Sequence, residues 1–139
     1  MSARSQFPGP QPPANVLARF REGGVIPAHA LALTGDRRLD ETHQRALSRY
    51  YLAAGSVGLA VGVHTTEFAI HDPQVALYRP VLELAIDTVR AARREAPPVM
   101  IAGVIGPTTQ AVREAALARE LGYDIGLLGL GALGDASDE

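Results

Sequence analysis

Apolar residues along this chain come in short blocks, and most blocks are followed by a stretch with helical spacing. Val25 to Leu33 is apolar nearly throughout. That predicts a strand buried on both faces of a parallel sheet, weakened at Pro27, which has no N–H for a ladder. Thr34-Gly35-Asp36 reads as a turn. Asp40 then predicts a helix cap. Leu39, His43, Ala46, Leu47, Tyr50 and Ala54 recur at helical spacing up to Gly55, a natural C′ residue. Val57 to Val63 is the second predicted strand, with Gly58 and Gly62 where another backbone can come close. His64 to His71 is a polar loop. Asp72-Pro73 predicts a cap followed by a first-turn proline, and the helix after it should bury Leu77, Val81, Leu84, Ala85, Thr88, Val89 and Ala92. Val99 to Val104 is the third strand. Gly106-Pro107-Thr108 opens another helix, with Ala111, Val112, Ala115, Ala118 and Leu121 inside and Gly122 ending it. Ile125 to Leu130 is the fourth strand.

Strand–helix alternation with short loops means right-handed βαβ units. The expected fold is α/β: about four parallel strands and three crossover helices, or roughly half of a (β/α)8 TIM barrel, which typically needs ~250 residues. Ser137-Asp138-Glu139 reads as the start of a further helix, a good cap followed by two acids. Residues 16–139 are therefore expected to form the N-terminal half of a TIM-barrel domain. Residues 1–15 are expected to be a disordered, proline-rich leader. After it, Asn15 should cap a short helix from Val16 to Glu22, ended by Gly23-Gly24.

Composition narrows the function. The net charge is −2, with no basic stripe, so no nucleic-acid partner is expected. No apolar run approaches the ~18 residues of a membrane span, and no membrane partner is expected. Cys is absent, which excludes thiolate nucleophiles and Cys-ligated metals and fits a cytoplasmic protein. All thirteen cationic residues are Arg. Arg does not give up a proton to form an imine, so this chain cannot perform Schiff-base chemistry by itself.

In β/α barrels, chemistry sits at the C-terminal ends of the strands. Thr34 to Arg38 holds ordinary turn residues. Gly62-Val63-His64-Thr65-Thr66-Glu67-Phe68 is the strongest candidate: two adjacent hydroxyls, an imidazole, a carboxylate and backbone N–H groups could bind a carboxylate or keto oxygen. The competing reading is a capped, solvated turn. Gly103 to Thr109 combines glycines with a helix start and could hold an anion, or be a tight connection and no more. Candidate substrate-binding residues are Thr65, Thr66, His64, Glu67 and Gly103. His64, Glu67, His71 and Asp72 have a ligand-like spacing that chance also supplies, so no metal and no other cofactor is expected. His29 and His43 lie on apolar faces and read as core or edge residues, and Tyr50-Tyr51 as helix packing.

The order of these segments resembles the dihydrodipicolinate synthase / N-acetylneuraminate lyase family. Leu39-Asp40-Glu41 and Gly55-Ser56-Val57-Gly58-Leu59 are similar to the family's first helix start and end. Val63-His64-Thr65-Thr66-Glu67 is similar to its Gly-Thr-Thr-Gly-Glu loop. Met100-Ile101-Ala102-Gly103-Val104, Thr109 and Ala118 to Asp124 are similar to its third strand and following helix. The resemblance implies a class I aldolase-type lyase taking a keto acid such as pyruvate through a Schiff base, its lysine on a later strand that this chain does not reach. Thr65, or Thr65 and Thr66 with a one-residue gap, would contact the substrate carboxylate. Without the gap, His64 takes the place of the proton-relay threonine. The family's relay tyrosine falls near Gly131-Ala132-Leu133, where this chain has none. The chain alone is then expected to be inactive, and its full-length parent a homo-oligomer. The alternative is a non-catalytic binding or assembly module built on a half barrel.

Overall fold

The computed structural model describes residues 11–134. Most of the leader and the helix start expected at Ser137-Asp138-Glu139 lie outside the described residues. The helices are α1 (Ala14–Glu22), α2 (Glu41–Ala53), α3 (Tyr78–Ala91) and α4 (Thr108–Leu121); the strands are β1 (Gly58–Val61), β2 (Val99–Val104) and β3 (Ile125–Leu128). The strands form one parallel sheet in chain order, with Gly58 opposite Val99 and Ile101 opposite Ile125. Each strand-to-strand connection carries a helix, so the fold is part of a β/α barrel.

The expected first strand is the main departure. Val25–Leu33 runs beside β1 but pairs with it through a single parallel bridge, Ala28 to Ala60. His29 N donates to Ala60 O at 2.8 Å and Ala60 N to Pro27 O at 3.0 Å. Pro27 has no N–H to extend the ladder. The segment is not buried on both faces either, since Val25 is 72% exposed. Three strands and an extended segment therefore stand where four strands were expected. At the N-terminus, Pro13 rather than Asn15 occupies the cap of α1, and Asn15 is already helical.

α2 starts as its sequence dictates. The Asp40 carboxylate accepts from His43 N at 3.0 Å, satisfying one of the orphan donors of the first turn. It ends in a Schellman motif: Gly55, at φ +92°, donates to Leu52 O, and Ser56 N donates to Tyr51 O. Its inward face differs from the apolar stripe. Gln44, Ser48 and Leu52 are buried, whereas His43, Ala46, Tyr50 and Ala54 are exposed. Two polar residues turn inward because the extended segment needs partners, Ser48 for the His29 ring and Gln44 for the backbone. His29 Nδ1 lies 2.8 Å from Ala30 O and Nε2 lies 2.8 Å from Ser48 Oγ. The neutral tautomer with the proton on Nδ1 satisfies both, as donor and acceptor respectively. Gln44 fastens the same segment, donating to Ala30 O and accepting from Ala32 N.

Burial holds the His29 imidazole pKa below its ordinary value, against a smaller upward pull from the Ala30 carbonyl. The unfolded chain therefore takes up a proton near pH 6.5 that the folded chain does not. Stability from this group is fully present above about pH 6.5 and falls as pH drops below it, by at most ~1.4 kcal/mol per pH unit. Urea unfolding at pH 7.5 and 5.5 checks this. The expected result is a pH-dependent midpoint whose slope shrinks in His29→Asn, and a slope unchanged by that substitution would refute it.

The hydrophobic core lies between the sheet and α3. Leu59, Val61, Val81, Leu82 and Ala85 are 0% exposed, with Met100 and Ala102 at 2% and 0%. Each large side chain among them stabilises by roughly 1.5–3 kcal/mol. α3 is buried most because α2 and α4 flank it. It begins at Tyr78, not after Asp72-Pro73. Gln74, Val75 and Ala76 instead turn back onto the Asp72 side chain and carbonyl, and Ala76 sits at φ +54°. Ala92 lies beyond the helix end and is exposed. α4 buries only Glu114 and Ala118 fully; Val112 and Ala115, expected inside, are exposed beside the outer edge of β3. Leu127 and Leu128 on that edge are 55% and 45% exposed.

Candidate functional site

The C-terminal ends of β1, β2 and β3 meet around a cavity of about 100 Å³. Gly62, Val63 and His64 line one side, Gly103 and Ile105 another. Two of the five sequence-predicted site residues, His64 and Gly103, thus reach the same cavity from different loops. Thr65 is exposed beside them, its Oγ1 3.1 Å from His64 Nε2. Thr66 and Glu67 are placed differently. Thr66 is 0% exposed; its hydroxyl donates to His29 O at 2.6 Å and accepts from Gly62 N at 3.0 Å. It ties the loop to the extended segment and to the end of β1. Glu67 is exposed at φ +71°, between the 3-10 turns His64–Thr66 and Phe68–His71. A non-glycine residue in that region costs about 1–3 kcal/mol, which the surrounding loop must offset.

Gly103 is needed by the backbone. A Cβ there would overlap the Gly62 carbonyl oxygen and lie 2.9 Å from Val63 N. The two strand ends pass closer than any side chain permits.

Beneath the cavity lies a polar network that the loop sequence does not announce. His71 Nε2 donates to Gly62 O at 2.8 Å. Its Nδ1 lies 3.0 Å from Glu114 Oε2 without a directed hydrogen bond. Glu114 Oε2 also accepts from Ile105 N at 2.9 Å, and Oε1 from Gln110 Nε2 at 2.9 Å. Tyr78 stacks on His71, ring centroids 4.4 Å apart, and donates to Gly103 O at 2.6 Å. Burial and the nearby Glu114 push the Tyr78 phenol well above its ordinary range, so it stays a donor. His71 and Tyr78 thereby each hold one of the two carbonyls that flank the cavity. His71 showed in the sequence as a loop histidine in a ligand-like spacing, and Glu114 was not singled out. Its one signal was its i+4 spacing from Gln110. Among the described residues, no three His, Asp or Glu side chains converge as a metal site would require, and no helix is long and apolar enough to cross a membrane.

This architecture defines a class, a partial (β/α)8 barrel with its strand-end loops gathered on one side. Within that class, the fold is shared with dihydrodipicolinate synthases and N-acetylneuraminate lyases, as the sequence resemblance implied. The dihydrodipicolinate synthase of Aquifex aeolicus superposes with a TM-score of 0.64 at 25% identity, over 76% of this chain and 33% of that one. YagE of E. coli K12, a prophage protein of the dihydrodipicolinic acid synthase family solved in complex with pyruvate, gives 0.65 at 24% identity over 76% and 33%. The N-acetylneuraminate lyase of Mycoplasma synoviae gives 0.66 at 21% identity over 81% and 36%. The chain spans about a third of the length of these proteins. No protein-family model and no curated relative matches the sequence.

Proposed function

We propose that this chain is the N-terminal part of a dihydrodipicolinate synthase-like lyase that acts on a keto acid such as pyruvate. The observation that carries the reading is the meeting of His64 and the Gly103–Ile105 loop around one cavity at the strand ends, in a fold shared with a pyruvate-bound structure. In this reading the exposed Thr65 hydroxyl, beside the cavity, holds the substrate carboxylate. In the same reading His64, exposed and 3.1 Å from Thr65 Oγ1, moves a proton where the family uses a hydroxyl relay. The imine-forming lysine has to come from outside these 139 residues, which contain none. The exposed edge of β3 supports the same reading, because further βα units would pair with it.

The edge also favours a second reading. Leu127, Leu128 and Leu130, the last 67% exposed, would suit an assembly module that associates through β3 without chemistry. Borohydride trapping separates the two. The chain extended by its downstream reading frame is incubated with pyruvate and borohydride, then digested and mass-mapped. A reduced pyruvate adduct on a lysine of the added segment is expected, with no adduct on residues 1–139 alone. No adduct anywhere in the extended protein would refute the catalytic reading and leave the assembly module.

A further inference from the structure

Three arginines far apart in the sequence meet along the seam between α2 and α3. Arg45 and Arg49 lie one turn apart on α2, and Arg94 follows the end of α3. Arg49 and Arg94 line an open cleft of about 330 Å³, whose other walls are Leu52, Ala53 and Ala92. Among the described residues, none of the three arginines has a carboxylate within 4.0 Å; the ion-pair contacts belong to His43, His71 and Arg79. Glu41 on α2, Asp87 on α3 and Glu95 beside Arg94 all stay beyond that distance. Like charges one turn apart on a helix repel, so Arg45 and Arg49 sit there against a cost.

Helix capping accounts for part of this. Two helix C-termini carry partial negative charge here, and Arg94 Nη1 donates to Leu52 O at 2.7 Å. Arg45 Nη1 donates to Thr88 Oγ1 at 3.3 Å. Each of these bonds uses one of five N–H donors and fixes the direction of the side chain. Arg49 is exposed, and its charge answers to no cap and no acid.

We propose that this cleft binds a multiply charged phosphoryl group of a small ligand, held between the Arg49 and Arg94 guanidinium groups. A guanidinium fork meets two oxygens of a phosphate at once, and the bonds are charge-assisted. Arg94 is already tethered, so less side-chain freedom is lost when it binds. Leu52, Ala53 and Ala92 contribute no side-chain acceptor to compete, and the two alanines leave room for the anion. The cleft is separate from the strand-end cavity. α2 and α3 end where the strands begin, at the opposite end of the barrel from Gly62 and Gly103. Further βα units would join at β3 and leave this seam open, so the proposal rests on neither reading above.

The test titrates the 139-residue chain with inorganic pyrophosphate and with inorganic phosphate, sodium chloride holding the ionic strength constant. NMR follows the backbone amides and the arginine Nε–H signals. Pyrophosphate is expected to saturate, to shift Ala53, Ala92 and Arg94 together with the Arg49 Nε–H, and to bind about tenfold more tightly than phosphate. Arg49→Gln, which removes no bond of the fold, should weaken pyrophosphate by about tenfold, while Arg113→Gln on the exposed face of α4 should change nothing. Ala92→Glu sets a carboxylate beside the arginines at an exposed position and should abolish binding in a folded chain. Shifts spread evenly over the exposed arginines, or an affinity unchanged in Arg49→Gln, would overturn the proposal. Tighter binding of a duplex oligonucleotide at equal phosphate concentration would also overturn it, making the seam a nucleic-acid surface instead.

Discussion

Glu114→Ala is expected to cost about 2–4 kcal/mol of folding stability, a large share of the ~5–15 kcal/mol typical of a domain. Two donors lose their partner at once: Ile105 N–H and the Gln110 amide each lose a hydrogen bond of 2.9 Å. Glu114 is only 8% exposed, so water does not readily replace it. A buried donor left unpaired costs about 1–3 kcal/mol, against ~0.5–1.5 kcal/mol for a hydrogen bond simply exchanged with solvent. Glu114→Gln keeps an acceptor of the same shape and should cost roughly half as much or less. The local consequence is sharper than the global one: Ile105 lines the strand-end cavity and is held there by Glu114, so the 103–106 loop should lose order first. Urea unfolding gives the free energy, and amide exchange at Ile105 gives the local effect. A loss below about 1 kcal/mol for Glu114→Ala would show that the network is wetter and weaker than its burial implies.

How much of this was legible in the sequence depends on whether a residue's role is set locally. β2 spans Val99–Val104 as read, because a continuous apolar run between prolines and a glycine admits little else. Asp40 caps α2 and Gly55 closes it for reasons contained within a few residues. The inward face of α2 was not legible. Ser48 is buried to pair with His29, nineteen residues away, and Gln44 to hold the backbone at Ala30 and Ala32, and hydropathy cannot report a polar residue drawn inward by a distant one. The start of α3 was misread because Asp-Pro signals a cap and a tight turn equally well. Here the turn forms, and Pro80 is accepted in the helix's own first turn instead. At the site, position at a strand end was enough to single out His64 and Gly103. Thr66 looked equivalent to Thr65 by type, yet the loop's 3-10 turn points one to solvent and the other into the fold. The exposed Val112 and Ala115 have a related cause. An apolar stripe predicts that a face will be covered, and within the described residues nothing lies beyond β3 to cover it.

Gly103→Ala should be nearly as damaging as loss of Glu114, through geometry rather than charge. The added methyl meets the Gly62 carbonyl oxygen, the Gly62 carbonyl carbon at 2.5 Å and Val63 N at 2.9 Å, all of them backbone. No flexible side chain can swing away, so the ends of β1 and β2 must separate. Overpacking of this kind commonly costs about 1–3 kcal/mol. Here the separation also pulls on the His71 bond to Gly62 O and the Tyr78 bond to Gly103 O, each contributing ~0.5–1.5 kcal/mol. A total of roughly 3 kcal/mol is expected, with the cavity opened along its floor. Gly35→Ala is the matched control. Gly35 lies in an exposed turn at an ordinary φ, a Cβ there meets nothing within 4 Å, and the change should stay within about 0.5 kcal/mol. Parallel urea titrations of the two variants decide the matter. If Gly103→Ala unfolds at the wild-type midpoint, the strand ends have slack, and the requirement for glycine must be sought in the ligand rather than in the sheet. If it unfolds early while Gly35→Ala does not, the close approach of β1 and β2 is what sets the shape of the site, and His64 and Ile105 face each other because of it.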